Sequence, residues 1–374
     1  MKAFTITLKY VKIKRKWRRN ILNKFDYMAK YGYEQLVYFY DKETGLKGII
    51  CIHDTTLGPA LGGTRLWNYA SEEEAVEDVL RLARGMTYKN AVAGLNLGGG
   101  KTVLIGDPDK VKTEAYWRAF GRYVQSLNGR YITAEDVNTN TNDMDYIAME
   151  TSHITGLEKT SGDPSPFTAL GVYWGMRASC LEMYGSNELK DKKVLVQGVG
   201  QVGYNLVKLL VQDGAKVFIS DIKQEKIDRV TREFPVTVVP FNEIFKGSYD
   251  IFAPCAMGAI INDETIPQFK FKIICGSANN VLKEERHGVV LQNKGILYAP
   301  DYVVNAGGVI NVYQEIIGYD SQEATKKVKK IYDKVLDIFK ISKEKQITPS
   351  QAANYLAEER IRTIRNVRSN YIKR

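Results

Sequence analysis

The sequence predicts a two-domain α/β protein whose second half is an open, mainly parallel sheet. Three observations carry that expectation. The chain has 374 residues, longer than a single hydrophobic core usually grows. The short apolar run Val194-Leu195-Val196 leads directly into Gly198-Val-Gly200-Gln201-Val202-Gly203, and Leu206, Val207, Leu209 and Leu210 then continue at helical spacing. Further apolar runs at 215–220, 237–239, 251–253, 273–275 and 296–298 are spaced like parallel strands with helices between them.

The first half reads differently. Residues 35–53 alternate like a hairpin around Asp41–Leu46. Ser71 followed by Glu74 is a helix-start signal, and Ala75, Val76, Val79, Leu80 and Ala83 repeat behind it at helical spacing. Gly85 is read as the end of that helix, which would leave Lys89 just beyond it. A helix over 114–126 and a short strand over 130–133 follow. The Gly/Pro/Ser stretch 161–166 marks a boundary, with a helix from Pro166 to Tyr184 stopped by Gly185. Near the end, an amphipathic helix spans 322–342 and a last helix 350–368. The division expected is 1–21 as a basic extension, 22–160 and 161–345 as the two domains, and 346–374 as a final helix returning to the first.

A lone GxGxxG is weak evidence, but this one lies between a strand and a helix with Asp221 at the end of the next strand. That setting is the Rossmann-type dinucleotide fingerprint. Gly198 permits the tight turn, Gly200 lets backbone approach the pyrophosphate, and Gly203 lets the helix pack close. Gln201 and Val202 open the helix against the phosphates. Asp221 suits the adenosine ribose hydroxyls and repels a 2′-phosphate, which favours NAD; Lys223 nearby leaves room for some NADP use.

Gly94–Thr102, G-L-N-L-G-G-G-K-T, is nearly a triphosphate loop but has Leu95 where the first glycine must stand. Its flanks are also reversed, with a helical stretch before it and the strand-like Thr102-Val-Leu-Ile105 after it. Lys101 is therefore a lysine among glycines at the start of a strand, with Lys89 twelve residues earlier. Two such lysines suit a small anionic substrate and a base, and glycines 98–100 are read as room for that substrate.

Composition excludes several classes. With 44% hydrophobic and 26% charged residues the chain reads as an ordinary globular protein, with no apolar run long enough for a membrane span. Four scattered cysteines without a CxxC pair imply reduced thiols and a cytoplasmic setting. His53, His153 and His287 have no partner at ligand spacing, so no metal site is expected. The net charge of +10 raises nucleic acid or a membrane surface as a partner. Eight of those charges lie within residues 1–21, which hold no acid, and without them the balance is +2. That segment is either a basic arm or upstream sequence that is not translated, since Arg18-Arg19 can be encoded as a ribosome-binding site and Leu22 by a TTG start.

Taken together, Gly58-Pro-Ala-Leu-Gly-Gly-Thr-Arg65, Met86-Thr-Tyr-Lys89, Gly94–Thr102, Thr133-Ala-Glu-Asp136 and Asn305-Ala-Gly-Gly308 resemble the glutamate/leucine/phenylalanine/valine dehydrogenases, from about Phe25 to Tyr371. The leucine-acting branch is the most similar. The resemblance implies a substrate and assembly domain beside the dinucleotide domain, with the active site in the cleft between them. It implies oxidative deamination of an L-amino acid to a 2-oxo acid and ammonia. Lys89 would bind the substrate carboxylate, Lys101 would be the catalytic lysine, and Asp136 would handle protons on the amine. A lysine works as a base only if its pKa falls from about 10.4 towards neutrality, which burial and a second cation promote. Asp136 alone would read equally as an ion-pair carboxylate.

Asn280 matches a position near the substrate amine or the nicotinamide, and Thr168 one near the nicotinamide amide, although either residue type also caps turns and helices. Leu61, Gly62, Ala134, Val309 and Val312 match positions lining the side-chain pocket. An aliphatic lining implies leucine, valine and isoleucine, with phenylalanine or another amino acid of the family's range as the alternative. Asn138, Asn140 and Tyr313-Gln314 depart from the leucine-acting pattern near the expected cleft. The partners implied are the amino acid, its 2-oxo acid and NAD, with neither nucleic acid nor membrane, in a homo-oligomer expected to be an octamer. The rival reading is a nucleic-acid- or membrane-surface-binding protein using the basic first 21 residues.

Overall fold

The computed structural model describes residues 23–157, 159–256 and 258–368, so the reading of residues 1–21 lies outside it. The chain builds two sheets. The first has five strands in the order β1-β2-β4-β3-β5. Helix α1 (Lys24–Tyr31) leads into β1 (Gln35–Tyr40) and β2 (Lys47–Asp54), which form the expected hairpin. β3 (Ala60–Trp67), β4 (Gly98–Ile105) and β5 (Tyr131–Glu135) run parallel to one another, while β2 pairs β4 antiparallel. The long helix α2 (Glu72–Val92) covers one face of this sheet, packing Ala75, Val76, Val79 and Leu80 with Ile49, Cys51 and Val103. After the short α3 (Pro108–Val111), α4 (Glu114–Ser126) and α5 (Thr141–Ala148) cover the other face around Trp117, Phe120 and Tyr131.

Helix α2 differs from expectation in length. Gly85 has no left-handed φ, and the helix continues for seven more residues to Val92. A mid-helix glycine costs only about 1 kcal/mol, and burial of Thr87, Asn90, Ala91 and Val92 offsets that. The chain instead leaves the helix through Gly94, at φ 76. The side chain of Arg360 closes this end from the last helix, donating to Ala91 O at 3.1 Å and Leu95 O at 2.6 Å. Lys89 is therefore held in the last helical turn.

Helix α6 (Ser165–Tyr184) ends at the left-handed Gly185, as its sequence predicts. The second sheet then forms from β6 (Lys193–Gln197), β7 (Lys216–Ser220), β8 (Thr237–Val238), β9 (Ile251–Pro254), β10 (Ile273–Ile274) and β11 (Leu297–Tyr298). Every pairing is parallel and the order is β11-β10-β9-β6-β7-β8. Helices α7 (Gln201–Gln212) and α8 (Gln224–Glu233) link its first three strands. The order reverses between β6 and β9, which opens a crevice at their carboxyl ends. The sequence thus describes a mixed α/β fold with a Rossmann-like second sheet.

Helices α9 (Arg286–Asn293), α10 (Asp301–Val304) and α11 (Gly307–Ile317) complete that half. The single helix expected over 322–342 is two, α12 (Ser321–Lys329) and α13 (Ile331–Lys345), interrupted at Lys330. Buried Val328, Ile331 and Val335 keep one apolar face across the break, which is why no pattern announced it. The last helix, α14 (Pro349–Arg368), lies back against α2, where Tyr88 donates to Glu358 at 2.7 Å and Arg365 pairs with Asp54 at 2.6 Å. Among the described residues no helix is long and apolar enough to cross a membrane.

Candidate active site

Lys89, Lys101, Asp136 and Asn280 line one cleft of about 290 Å³, together with Arg65, Tyr88, Asp301 and Tyr302. The volume suits a small molecule. Lys101 projects from the middle of β4 and is 4% exposed. Its ammonium lies 3.0 Å from Asp136, which stands just past the end of β5. The two meet through register, because Thr102 on β4 and Glu135 on β5 both lie opposite Thr64 of β3, with Lys101 and Asp136 their immediate neighbours. The other oxygen of Asp136 accepts from Arg65 Nε at 2.9 Å.

Electrostatics separates these groups. Burial pushes the Lys101 pKa down; Asp136 opposes the shift, and Arg65 adds to it. Burial likewise lowers Lys89, to about 8, with Asp301 and Asp136 opposing and Lys101 reinforcing the fall. Burial alone would raise Asp136, but Lys101 and Arg65 outweigh it and hold the carboxyl well below the usual range. Asp136 is therefore ionised at any ordinary pH. Asp301 is pushed up by burial, against hydrogen bonds from the Val281 and Tyr302 amides. The cleft holds two lysines whose ammonium forms are both made easier to deprotonate, beside a fixed carboxylate. That combination binds an anion and moves a proton.

Glycines 98–100 play a different part from the one expected. A Cβ on Gly98 would fall 2.0 Å from Asp54 O, one on Gly99 2.1 Å from Thr87 N, and one on Gly100 2.8 Å from the Tyr131 ring. These faces are filled by protein, so the glycines let α2 and β2 pack tightly on β4 and leave no room for substrate there. Gly62 belongs to the same seam, where its Cβ would meet Gly100 O at 1.7 Å.

The other positions expected to form the side-chain pocket lie apart from the cleft wall. Leu61 and Val312 are buried in one apolar cluster, and Val309 packs against it. Ala134 is half-buried on β5 opposite Gly63. The departures from the leucine-acting pattern have structural roles. Asn138 takes a left-handed turn at φ 58 and donates to Leu66 O, Asn140 caps α5 with Asp143, and Tyr313 and Gln314 are buried.

The glycine turn stands at the crevice of the second sheet. Gly198 has φ 94 and lies against Ala256, and a Cβ on Gly203 would meet Gly198 O at 2.0 Å. Gly200 faces open space, with only Lys226 Nζ within 4 Å, at 3.8 Å from its Cβ position. Gln201 and Val202 begin α7, whose first amides have no side-chain cap and so stay available to a phosphate. Asp221 accepts from the Val199 amide and from the Lys223 amide, each at 2.9 Å, which ties it to the turn. Thr168 is half-buried in the first turn of α6 and bonds Pro164 O at 3.1 Å. An open cradle beside a tethered acid fits a dinucleotide.

The histidines bear on metals. His53 bonds Thr87 Oγ1 at 2.8 Å and Tyr31 O at 3.0 Å, and burial lowers it to about 4, so it is neutral. His287 does come together with Asp263 and Glu284, which sequence spacing did not reveal. Its Nδ1 accepts from the Glu284 amide, which puts the ring proton on Nε2 facing Asp263. The Arg286 guanidinium pairs with both acids. This is an ion-pair cluster, and its histidine offers no free lone pair to a metal.

Sequence reasoning gave no role to Arg65, Asp78 or Asp301. A charged residue within the apolar strand β3 was the available signal for Arg65; Asp78 and Asp301 join the site only through tertiary packing.

Known proteins match this sequence over most of its length. A family model described as the Glu/Leu/Phe/Val dehydrogenase dimerisation domain matches residues 34–153. A second, described as Glutamate/Leucine/Phenylalanine/Valine dehydrogenase, matches residues 219–368. Leucine dehydrogenase of Thermoactinomyces intermedius is 60% identical over 352 residues, spanning 93% of this chain and 96% of its own. Leucine dehydrogenase of Bacillus cereus is 58% identical over 94% of this chain and 97% of its own. The crystal structure of L-tryptophan dehydrogenase from Nostoc punctiforme superposes with a TM-score of 0.81 at 48% identity, covering 91% of this chain and 99% of that one. The chain belongs to the glutamate/leucine/phenylalanine/valine dehydrogenase family and is an amino-acid dehydrogenase.

Proposed function

We propose that the protein catalyses the reversible, NAD-dependent oxidative deamination of branched-chain L-amino acids to 2-oxo acids and ammonia. The observation that carries this is the pairing of buried Lys101 with half-buried Asp136 at 3.0 Å in the cleft that Lys89 also lines. The similarity to two leucine dehydrogenases favours leucine, valine and isoleucine over aromatic substrates. Gly198, Gly200, Gln201, Val202 and Gly203 would hold NAD, with Asp221 towards its ribose and Thr168 and Asn280 towards its nicotinamide; bound there, it would supply the acceptor for the hydride that leaves the substrate Cα. Asp221 favours NAD over NADP by charge.

The chain's own residues do the rest. Protonated Lys89 holds the substrate carboxylate, while Asn280 orients the amine. Once the imine has formed, neutral Lys101 takes a proton from the water that attacks its carbon. Asp136, having taken a proton from the substrate ammonium before the hydride leaves, then returns it to the departing nitrogen. Held as it is by two cations, Asp136 is a weak base until Lys101 is neutral, so the two groups act in sequence.

The described cysteines are all unpaired, which supports a reducing, cytoplasmic setting. The match to a dimerisation domain supports a homo-oligomer, and we propose an octamer. The test is a kcat/KM panel of amino acids with NAD and NADP, read as NADH or NADPH absorbance. Leucine, valine and isoleucine with NAD should lead, and Lys101→Ala should abolish the signal. A preference for phenylalanine, tryptophan or glutamate would overturn the substrate reading, and an unchanged rate in Lys101→Ala the mechanism.

A further inference from the structure

Arg65 has no role in the reaction as set out above, yet its placement is unusual for a surface arginine. It comes from β3, and its side chain is only 22% exposed. Nε donates to Asp136 at 2.9 Å, and Nη1 donates to Asp78 at 3.0 Å. Asp78 comes from α2 and is fixed in turn by the Tyr69 hydroxyl at 2.7 Å and by Arg81 at 3.1 Å. Lys101, Asp136, Arg65 and Asp78 thus alternate in sign along one continuous chain of contacts.

We propose that Arg65 is a positioning residue for the deamination: by occupying one oxygen of Asp136 and tying it to Asp78, it aims the other oxygen at Lys101 and frees Lys101 to give up its proton. Two physical effects are involved. A carboxylate gripped at both oxygens cannot rotate, so its remaining lone pairs keep one direction. Arginine also keeps its charge at every working pH, so it balances one of the two acids permanently. Without it, Lys101 would be the one buried cation facing both Asp136 and Asp78, and opposite charge favours the protonated form.

The charged groups around Lys101 are Asp136 after β5, Arg65 on β3, and Asp78 and Lys89 on α2; Asp301 faces Lys89 from the second domain. Arg81 is more than half exposed and largely screened.

The inference rests on Lys101 being the base, so the experiment includes a readout that needs no turnover. In Arg65→Gln, the rise of kcat with pH at saturating amino acid and NAD should move to higher pH by about one unit, with KM for the amino acid changing less than about threefold. Arg65→Lys should restore part of the shift. Asp78→Asn removes an acid instead, and should move the profile to lower pH. The same order should appear without substrate in the pH at which Lys101 becomes reactive to an amine-acylating reagent, read by peptide mass. If the wild-type protein deaminates no amino acid, the functional reading fails, and the acylation midpoints still judge Arg65. Equal midpoints in wild type and a folded Arg65→Gln would overturn the proposal. Should Arg65→Gln not fold, opposite shifts in Arg65→Lys and Asp78→Asn support it, and equal or like-signed ones overturn it.

Discussion

Gly99 lies so close to Thr87 that a Cβ on the glycine would fall 2.1 Å from the threonine amide nitrogen. Thr87 belongs to the same helix as Lys89, and Gly99 to the same strand as Lys101. The seam between them therefore sets how far apart the two lysines stand. Gly99→Ala would have to push backbone aside, where overpacking costs about 3 kcal/mol or more. Thermal unfolding should show a large loss of stability, with deamination falling in the fraction that folds. A variant with wild-type Tm and activity would show that the seam can relax.

The glycines illustrate what a sequence makes legible. Their number and spacing announced a special site, but an open glycine and a packed one look alike until the neighbouring helix is in place. Gly85 misled for the same reason, since the packing that carries α2 past it comes from distant residues. Local chemistry was plain by comparison. Ser71 does cap α2 at the Glu74 amide, and Gly185 ends α6. Lys89, Lys101, Asp136 and the glycine turn stood out because each sits in a short motif. Asp78 and Asp301 have no such local context, and although Arg65 closes the Gly58–Arg65 motif, only the meeting of separate elements gives all three their partners.

Lys89 should make binding pH-dependent. With its pKa at about 8, the free protein loses the ammonium that holds a carboxylate as pH rises through that value. Inhibition by 4-methylpentanoate, an amine-free carboxylate, should weaken above about pH 8, and Lys89→Gln should bind it poorly with that dependence gone. Stability should move the other way. Because the folded pKa lies below the ordinary 10.5, the unfolded chain holds more protons between the two values. Unfolding free energy of the wild type relative to Lys89→Met should therefore rise from about pH 8 to 10.5. A constant difference across that window would place Lys89 in water.

The glycine turn separates folding from cofactor binding. At Gly203 a Cβ would strike Gly198 O, so Gly203→Ala should lower stability by about 3 kcal/mol. At Gly200 it would enter open space, so Gly200→Val should keep the Tm and raise KM for NAD by about tenfold or more, roughly 1.4 kcal/mol. Lys226 overlooks that space and forms no ion pair among the described residues. Lys226→Gln should raise the Kd for ADP-ribose several-fold and leave that for adenosine unchanged, as read by calorimetry. Equal losses for both ligands would move Lys226 away from the phosphates.

Glu315 joins the two halves of the molecule. From α11 its carboxylate accepts the amide of Gly156 at 3.0 Å and that of Ser161 at 3.1 Å, in the segment that leads from the first domain to α6. Asn311, one turn earlier on the same helix, donates to Ser161 O at 3.3 Å. This grip ties α11 of the second half to the segment leading out of the first, and a role in holding the cleft angle is what its variants test. Glu315→Ala strips two part-buried amides of a charged acceptor, a loss of about 1–3 kcal/mol. Because the cleft is built by both halves, kcat and KM should change together, as hinge variants do. Glu315→Gln keeps one acceptor oxygen and should fall between the two. Small-angle scattering should show Glu315→Ala with a broader range of domain separations than wild type. If the Ala variant lost stability but kept wild-type kinetics and scattering, Glu315 would be a local brace with no hold on the cleft.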